Sequence, residues 1–140
     1  MTFAHPHPDA PLCTEAEISR LVHAFYARVR QDAALGPIFQ AHVEDWDLHL
    51  AKLVDFWSSI LLRTGRFNGT PMPKHAALPG LDASLFERWL ALFRDTAAEQ
   101  PNRRMAERAC EMAQRIAQSL WMGYQISRSP DAIPTGLPHA

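Results

Sequence analysis

The stretch from Thr14 to Val29 reads TEAEISRLVHAFYARV, and it predicts the first helix of the chain. Thr14 and Glu17 have the capping-box spacing, in which each side chain satisfies a free backbone N–H at the start of a helix. Apolar side chains then recur every three or four residues, which places them on one helical face. This face comprises Ile18, Leu21, Val22, Phe25, Tyr26 and Val29. We expect the helix to stop before Gly36-Pro37.

Three later segments have the same helical spacing, and they begin near Asp45, after Pro79-Gly80 and after Pro101-Asn102. The apolar face of the segment that begins near Asp45 is Trp46, His49, Leu50, Leu53, Phe56, Trp57, Ile60 and Leu61. The apolar face of the segment that begins after Pro79-Gly80 is Phe86, Trp89, Leu90 and Phe93. The apolar face of the segment that begins after Pro101-Asn102 is Met105, Ala109, Met112, Ala113, Ile116, Ala117 and Leu120. The chain is rich in Ala and Leu, which favours an all-α fold.

The length of 140 residues suits a single domain with a sizeable core. Prolines are concentrated near both ends of the chain. We therefore expect a loose N-terminal arm over residues 1–13, a folded domain over residues 14–126 and a disordered tail over residues 127–140.

Charge and composition exclude several classes of protein. The formal net charge is −1 and the pI is about 6.6, so no basic field is available to bind nucleic acid. No stretch approaches the ~18 apolar residues that a membrane span requires. The segment before Arg20 has no apolar run, so we expect no secretory signal. Cys13 and Cys110 form no paired motif, which suggests a cytoplasmic protein with reduced thiols.

Four residues raise a chemical question, because a buried polar side chain requires a partner. His49 lies in the middle of an apolar face, and Tyr26 and Trp89 carry polar atoms on two other apolar faces. Taken singly, each is explained by packing at the edge of the core. His75 lies in the Pro- and Gly-rich connection over residues 64–81, and ordered connections of that length are usually functional.

The combination of these residues points to one kind of cofactor. The sequence combines wide apolar faces with a loop histidine, a helix histidine and two further polar rings. This combination suits a flat apolar cofactor that is held by one axial imidazole, such as haem. A cofactor-free helical interaction module is an alternative that treats His49, Tyr26 and Trp89 as core. A ferritin-like metal bundle is disfavoured because the ExxH motif is missing.

Several separated motifs occur in a specific order: Phe25-Tyr26, Leu35–Phe39 (LGPIF), Trp46–Lys52 (WDLHLAK), Phe56-Trp57, Asn68–His75 (NGTPMPKH) and Phe86–Phe93 (FERWLALF). Through these motifs the sequence resembles the truncated globins of the third group, over about Ile18 to Tyr124. The resemblance implies a shortened globin fold, which is a helical sandwich around a non-covalently bound haem b.

The resemblance also implies a role for each residue around the iron. His75 would be the proximal ligand and therefore the residue that binds the metal. Tyr26 and Trp89 would donate hydrogen bonds on the distal side. His49 would lie on the distal helix, where it could hydrogen-bond the gas, gate its entry or ligate the iron directly.

The remaining implied contacts concern the edge and faces of the cofactor. Phe39 would pack on the porphyrin face and Leu53 on the distal side. Lys52 could reach a propionate, and Trp89 and Phe93 would line the cofactor as well.

The implied activity is the binding of O2, NO and CO at a five-coordinate iron site. Two distal donors would slow the release of O2, which suits nitric oxide dioxygenation or peroxide chemistry better than oxygen transport. Electrons would come from an external donor, since no flavin or nicotinamide motif is present. Whether the chain is an enzyme or a gas or redox sensor stays open at this stage.

Overall fold

The computed structural model describes residues 11–63 and 81–137. Within these two ranges the chain forms α-helices and no strand. The helices are α1 (Glu15–Gln31), α2 (Leu35–His42), α3 (Trp46–Leu62), α4 (Ala83–Ala98) and α5 (Arg103–Arg128). The predicted all-α class is therefore confirmed. No helix in the described part combines the length and the apolar content needed to cross a membrane.

Side-chain caps explain where four of the helices begin. Thr14 and Glu17 form the complete capping box that the sequence predicts at the start of α1. Asp45 caps α3, Asp82 caps α4 and Asn102 caps α5, each by accepting a hydrogen bond from a first-turn N–H.

Helix α2 is the element that the sequence pattern did not indicate. Helix α1 does stop before Gly36-Pro37, but a new helix begins at Leu35. Pro37 lies in its first turn, where the missing N–H of proline costs nothing because it would lack a helical partner anyway. The Asp32 carboxylate accepts hydrogen bonds from the backbone N–H groups of Ala34 and Leu35, at 3.0 and 2.9 Å, and so holds the start of this helix.

Helix α1 is central to the described part of the fold. It packs against α2, α3 and α4, and α4 packs along α5. The largest fully buried side chains lie on these helices, and they include Trp57, Phe25, Phe93, Ile18 and Met105. Residues of α1 therefore face the side chains of three other helices at once.

Charged side chains join α1 and its following turn to α4. Arg88 lies 2.6 Å from the Asp32 carboxylate, and this hydrogen-bonded guanidinium is the main reason that the pKa of Asp32 is lowered. Arg28 donates to the Thr96 hydroxyl at 3.1 Å and pairs with Glu99. These contacts set the position of α4 relative to the start of α2.

The described part of the C-terminal tail is held by side chains of α5. Helix α5 continues to Arg128, and the chain up to Leu137 then lies against it. Gln125 exchanges two hydrogen bonds with the backbone of Thr135, at 2.7 and 3.1 Å, and Gln118 accepts from the N–H of Leu137 at 3.0 Å. The two glutamine side chains supply the backbone partners that a Pro-rich segment cannot find in a helix. Of the predicted loose arm, residues 1–10 lie outside the described residues.

Gly36 allows the close approach of α2 to α1, and its replacement is the first prediction. A Cβ atom at position 36 would lie 2.7 Å from the backbone oxygen of Arg30. We expect Gly36→Ala to lower the free energy of unfolding by roughly 1–3 kcal/mol, because the clash outweighs the helix propensity of alanine. Urea unfolding measures the change.

Gly136→Ala is the matched control for this experiment. A Cβ there would meet only the flexible side chain of Gln118, at 3.1 Å. The control should change stability much less. Equal stability of Gly36→Ala and the unmutated chain would contradict the proposed close approach.

Candidate functional site

The Tyr26 hydroxyl is the polar centre of the site. Tyr26 lies on α1 and is only 5% exposed. The Trp89 indole on α4 lies close enough to this hydroxyl to act on its pKa as a hydrogen-bond donor. Since an indole can only donate, the phenol oxygen is the acceptor and the hydrogen of the phenol is left for another acceptor.

Aromatic rings from three helices surround the phenol. The ring centroid of Tyr26 lies 4.7 Å from that of Phe25 on α1 and 5.8 Å from that of Phe39 on α2. His49 and Trp46 on α3 follow at 6.2 and 6.4 Å. Together with Trp89, the cluster draws on α1, α2, α3 and α4, so the sequence-predicted Tyr26, His49, Trp89 and Phe39 lie together in the structure.

Burial determines the ionisation of Tyr26. Removal from water disfavours the phenolate and raises the pKa of Tyr26 to about 12, and the hydrogen bond from Trp89 opposes this shift only in part. The group therefore stays a neutral O–H donor throughout the physiological pH range.

A stack of rings fixes the plane of Trp89. Its ring lies 5.7 Å from Phe93 in a stacked arrangement and 5.2 Å from Phe25 in an edge-on one. Phe93 in turn stacks on Trp57 of α3 at 5.1 Å. Phe93 is only 1% exposed, so the structure encloses this predicted cofactor contact among protein rings.

The apolar face of α3 is only half-buried along most of its length. It consists of Leu50, Leu53, Val54, Phe56 and Ile60. Leu53 belongs to this face, as predicted, whereas Lys52 is exposed beside it. A half-covered apolar face together with a buried phenol and a half-buried indole fits a flat apolar group with one polar distal side.

Trp46 is the member of the cluster whose place the sequence did not reveal. Sequence reasoning placed it on the apolar face of α3 and gave it no part in the site. Its ring lies edge-on to His49 at 5.5 Å and stacks on Phe39 at 6.4 Å. The available signal was its spacing of three residues before His49, which puts both side chains on one side of a helix.

The predicted proximal ligand, His75, lies outside the described residues. Within residues 11–63 and 81–137, no three His, Cys, Asp or Glu side chains come together in a group that could hold a metal ion.

Comparison with known proteins gives two matches and one negative result. The chain is 38% identical over 107 residues to the group 3 truncated hemoglobin ctb of Campylobacter jejuni, which covers 74% of this chain and 84% of that protein. The crystal structure of group III truncated hemoglobin from Campylobacter jejuni matches with a TM-score of 0.75 and 33% identity, over 86% of this chain and 96% of that chain. No family model matches. The structural match confirms the predicted shortened globin fold.

Phenol titration tests the burial of Tyr26 directly, since the chain has only two tyrosines. In Tyr124→Phe, which keeps Tyr26, the near-ultraviolet absorbance should report ionisation near pH 12. An exposed phenol ionises near pH ~10. The raised pKa stabilises the fold fully below pH ~10, and this stabilisation is lost as the pH rises towards 12.

The reciprocal variant is the control. Tyr26→Phe should lack the late ionisation step and should lose less stability over the same alkaline range. Ionisation near pH ~10 in Tyr124→Phe would show that water reaches the phenol of Tyr26.

Proposed function

Because the chain belongs to the group III truncated haemoglobins, we propose that it binds haem b non-covalently and takes up O2, NO and CO at a five-coordinate iron site. Bound haem would supply a metal that holds one gas molecule and exchanges electrons with it. The polypeptide would bind the cofactor, exclude water and supply hydrogen bonds. The half-buried apolar face of α3, the buried phenol of Tyr26 and the half-buried indole of Trp89 support this proposal.

We assign the proximal ligand to His75, in the motif NGTPMPKH, where one ring nitrogen would bind the iron. Phe39 and Leu53 would give apolar contacts to the cofactor. Lys52 is exposed on α3, three residues after His49, and would pair with a propionate. The enclosed ring of Phe93 would act mainly by supporting Trp89.

The buried phenol of Tyr26 is the observation that carries the distal chemistry. The Trp89 indole donates to the phenol oxygen, and the phenol hydrogen remains free to donate to a gas molecule that carries partial negative charge. A hydrogen bond accepted by the phenol polarises the one it donates. His49, on the edge of the same cluster, is a further distal residue that would hydrogen-bond the gas, gate its entry or ligate the iron.

Strong retention of O2 favours reaction over delivery. A hydrogen bond from the Tyr26 phenol in a dry pocket is worth about 1–3 kcal/mol, and the Trp89 indole would strengthen it by donating to the phenol oxygen, so gas release would slow by roughly one to two orders of magnitude. We therefore propose that the chain supports nitric oxide dioxygenation or peroxide chemistry rather than oxygen transport, with electrons from an external donor. A phenol O–H donor that is polarised by the Trp89 indole suits either reaction, because both build negative charge on oxygen.

The proposal includes a cytoplasmic location with reduced thiols. Burial raises the pKa of the Cys13 thiol to about 11, and burial is also the main reason for the raised pKa of Cys110. Both groups therefore stay protonated and unreactive near neutral pH, in line with structural rather than redox cysteines.

Stopped-flow O2 release tests the distal donors. Tyr26→Phe and Trp89→Phe should each speed O2 dissociation, Tyr26→Phe by roughly 5- to 150-fold, because a hydrogen bond worth about 1–3 kcal/mol is lost. Carbon monoxide release should change much less, since that ligand is less polar. Tyr124→Phe removes a phenol remote from the cluster and serves as the control. Unchanged O2 release in both site variants would refute the donor roles.

A further inference from the structure

Trp46 lies between the buried phenol and the solvent. On its inner side its ring contacts Tyr26 at 6.4 Å and His49 at 5.5 Å. On its outer side lie Arg30 and Gln40, which are both exposed. The half-buried Trp46 ring therefore separates the Tyr26 phenol from water on this side of the cluster. We call the space beside the phenol the Tyr26 pocket.

Two contacts with exposed residues hold this ring in place. The guanidinium carbon of Arg30 lies 4.4 Å from the ring centroid of Trp46, which is a cation–π arrangement. The indole Nε1 of Trp46 donates to Oε1 of Gln40 at 3.2 Å. Arg30 is near the end of α1 and Gln40 is on α2, so both helices restrain one side chain at the first residue of α3.

The opposite side of the phenol is closed by the core. Phe25 is fully buried and packs edge-on against Tyr26 at 4.7 Å. Trp89 is held in the ring stack with Phe93. By contrast, the outer face of Trp46 is held by surface contacts with Arg30 and Gln40, and such contacts break at small cost.

From this geometry we propose that Trp46 is the barrier that diatomic gases must pass to reach the Tyr26 pocket, and that Arg30 and Gln40 latch it closed. The inference rests on the proposed gas-binding function. Trp46 would control the rate of gas passage because it controls access to Tyr26, and it would make no hydrogen bond to the gas.

A barrier has a kinetic signature that a ligand-stabilising residue lacks. The same ring must move for a gas molecule to enter and to leave, so lowering the barrier speeds both rates by one factor. The equilibrium affinity then stays constant. Loss of a hydrogen-bond donor instead speeds release alone.

Flash photolysis and stopped-flow with carbon monoxide measure both rates on the haem-loaded protein. Trp46→Ala should raise association and dissociation together by about tenfold, and Arg30→Ala by about two- to fivefold, as the strength of the latch contacts suggests. Arg20→Ala removes another exposed arginine of α1 and should leave both rates unchanged. An unchanged association rate in Trp46→Ala and Arg30→Ala would overturn the proposal, as would a change in dissociation alone.

A second measurement does not depend on haem. N-acetylimidazole transfers its acetyl group to an accessible phenol oxygen and releases imidazole, and peptide mass spectrometry distinguishes Tyr26 from Tyr124. Trp46→Ala and Arg30→Ala should speed acetylation of Tyr26 but not of Tyr124. Unchanged acetylation of Tyr26 in both variants would overturn the proposal.

The two measurements separate the possible failures. A purified chain with no haem absorption band and no carbon monoxide complex would refute the proposed function, while acetylation of Tyr26 would still decide whether Trp46 closes the pocket. Arg30→Ala changes only a surface side chain, so it tests the latch even if Trp46→Ala fails to fold.

Discussion

A phenol hydroxyl buried among aromatic rings is the constraint on which the site depends. A buried polar group without a partner is costly, so Tyr26 on α1 requires Trp89 on α4 at a fixed position. The ring stack on Phe93 orients that indole, and the Arg88–Asp32 pair sets α4 against the start of α2. These contacts bring α1, α2 and α4 together around the hydroxyl, and His49 of α3 packs against the same phenol ring.

Most of the helical fold could be predicted because its signals are local. The capping box at Thr14 and the N-caps Asp45 and Asn102 begin helices where the sequence indicates. Helix α2 could not be predicted from spacing, since Gly36-Pro37 is typical of a break. It forms because the carboxylate of Asp32 reaches over the turn, while Arg88 from a distant segment holds that carboxylate. The contacts of the tail beyond Arg128 could not be predicted for a similar reason, since its partners are side chains of α5.

The candidate site, like the fold, has features that the sequence predicts and features that it does not. Tyr26, His49 and Trp89 could be named from the sequence because polar atoms on apolar faces need partners, and the family motifs gave them roles. Their mutual contacts depend on how four helices cross, which one sequence does not specify. The contacts of Arg30 and Gln40 with Trp46 could not be predicted for that reason. Both are ordinary surface residues until α1, α2 and α3 come together.

In the proposed arrangement one imidazole, that of His75, would hold a haem whose other side faces Tyr26. The most direct test is the absorption spectrum of His75→Gly, ferric and ferrous, with and without carbon monoxide, before and after addition of free imidazole. We expect the variant to lose the haem or its axial coordination, and imidazole to restore the spectrum in protein that retains haem. A variant that keeps its haem with an unaltered spectrum would contradict the claim.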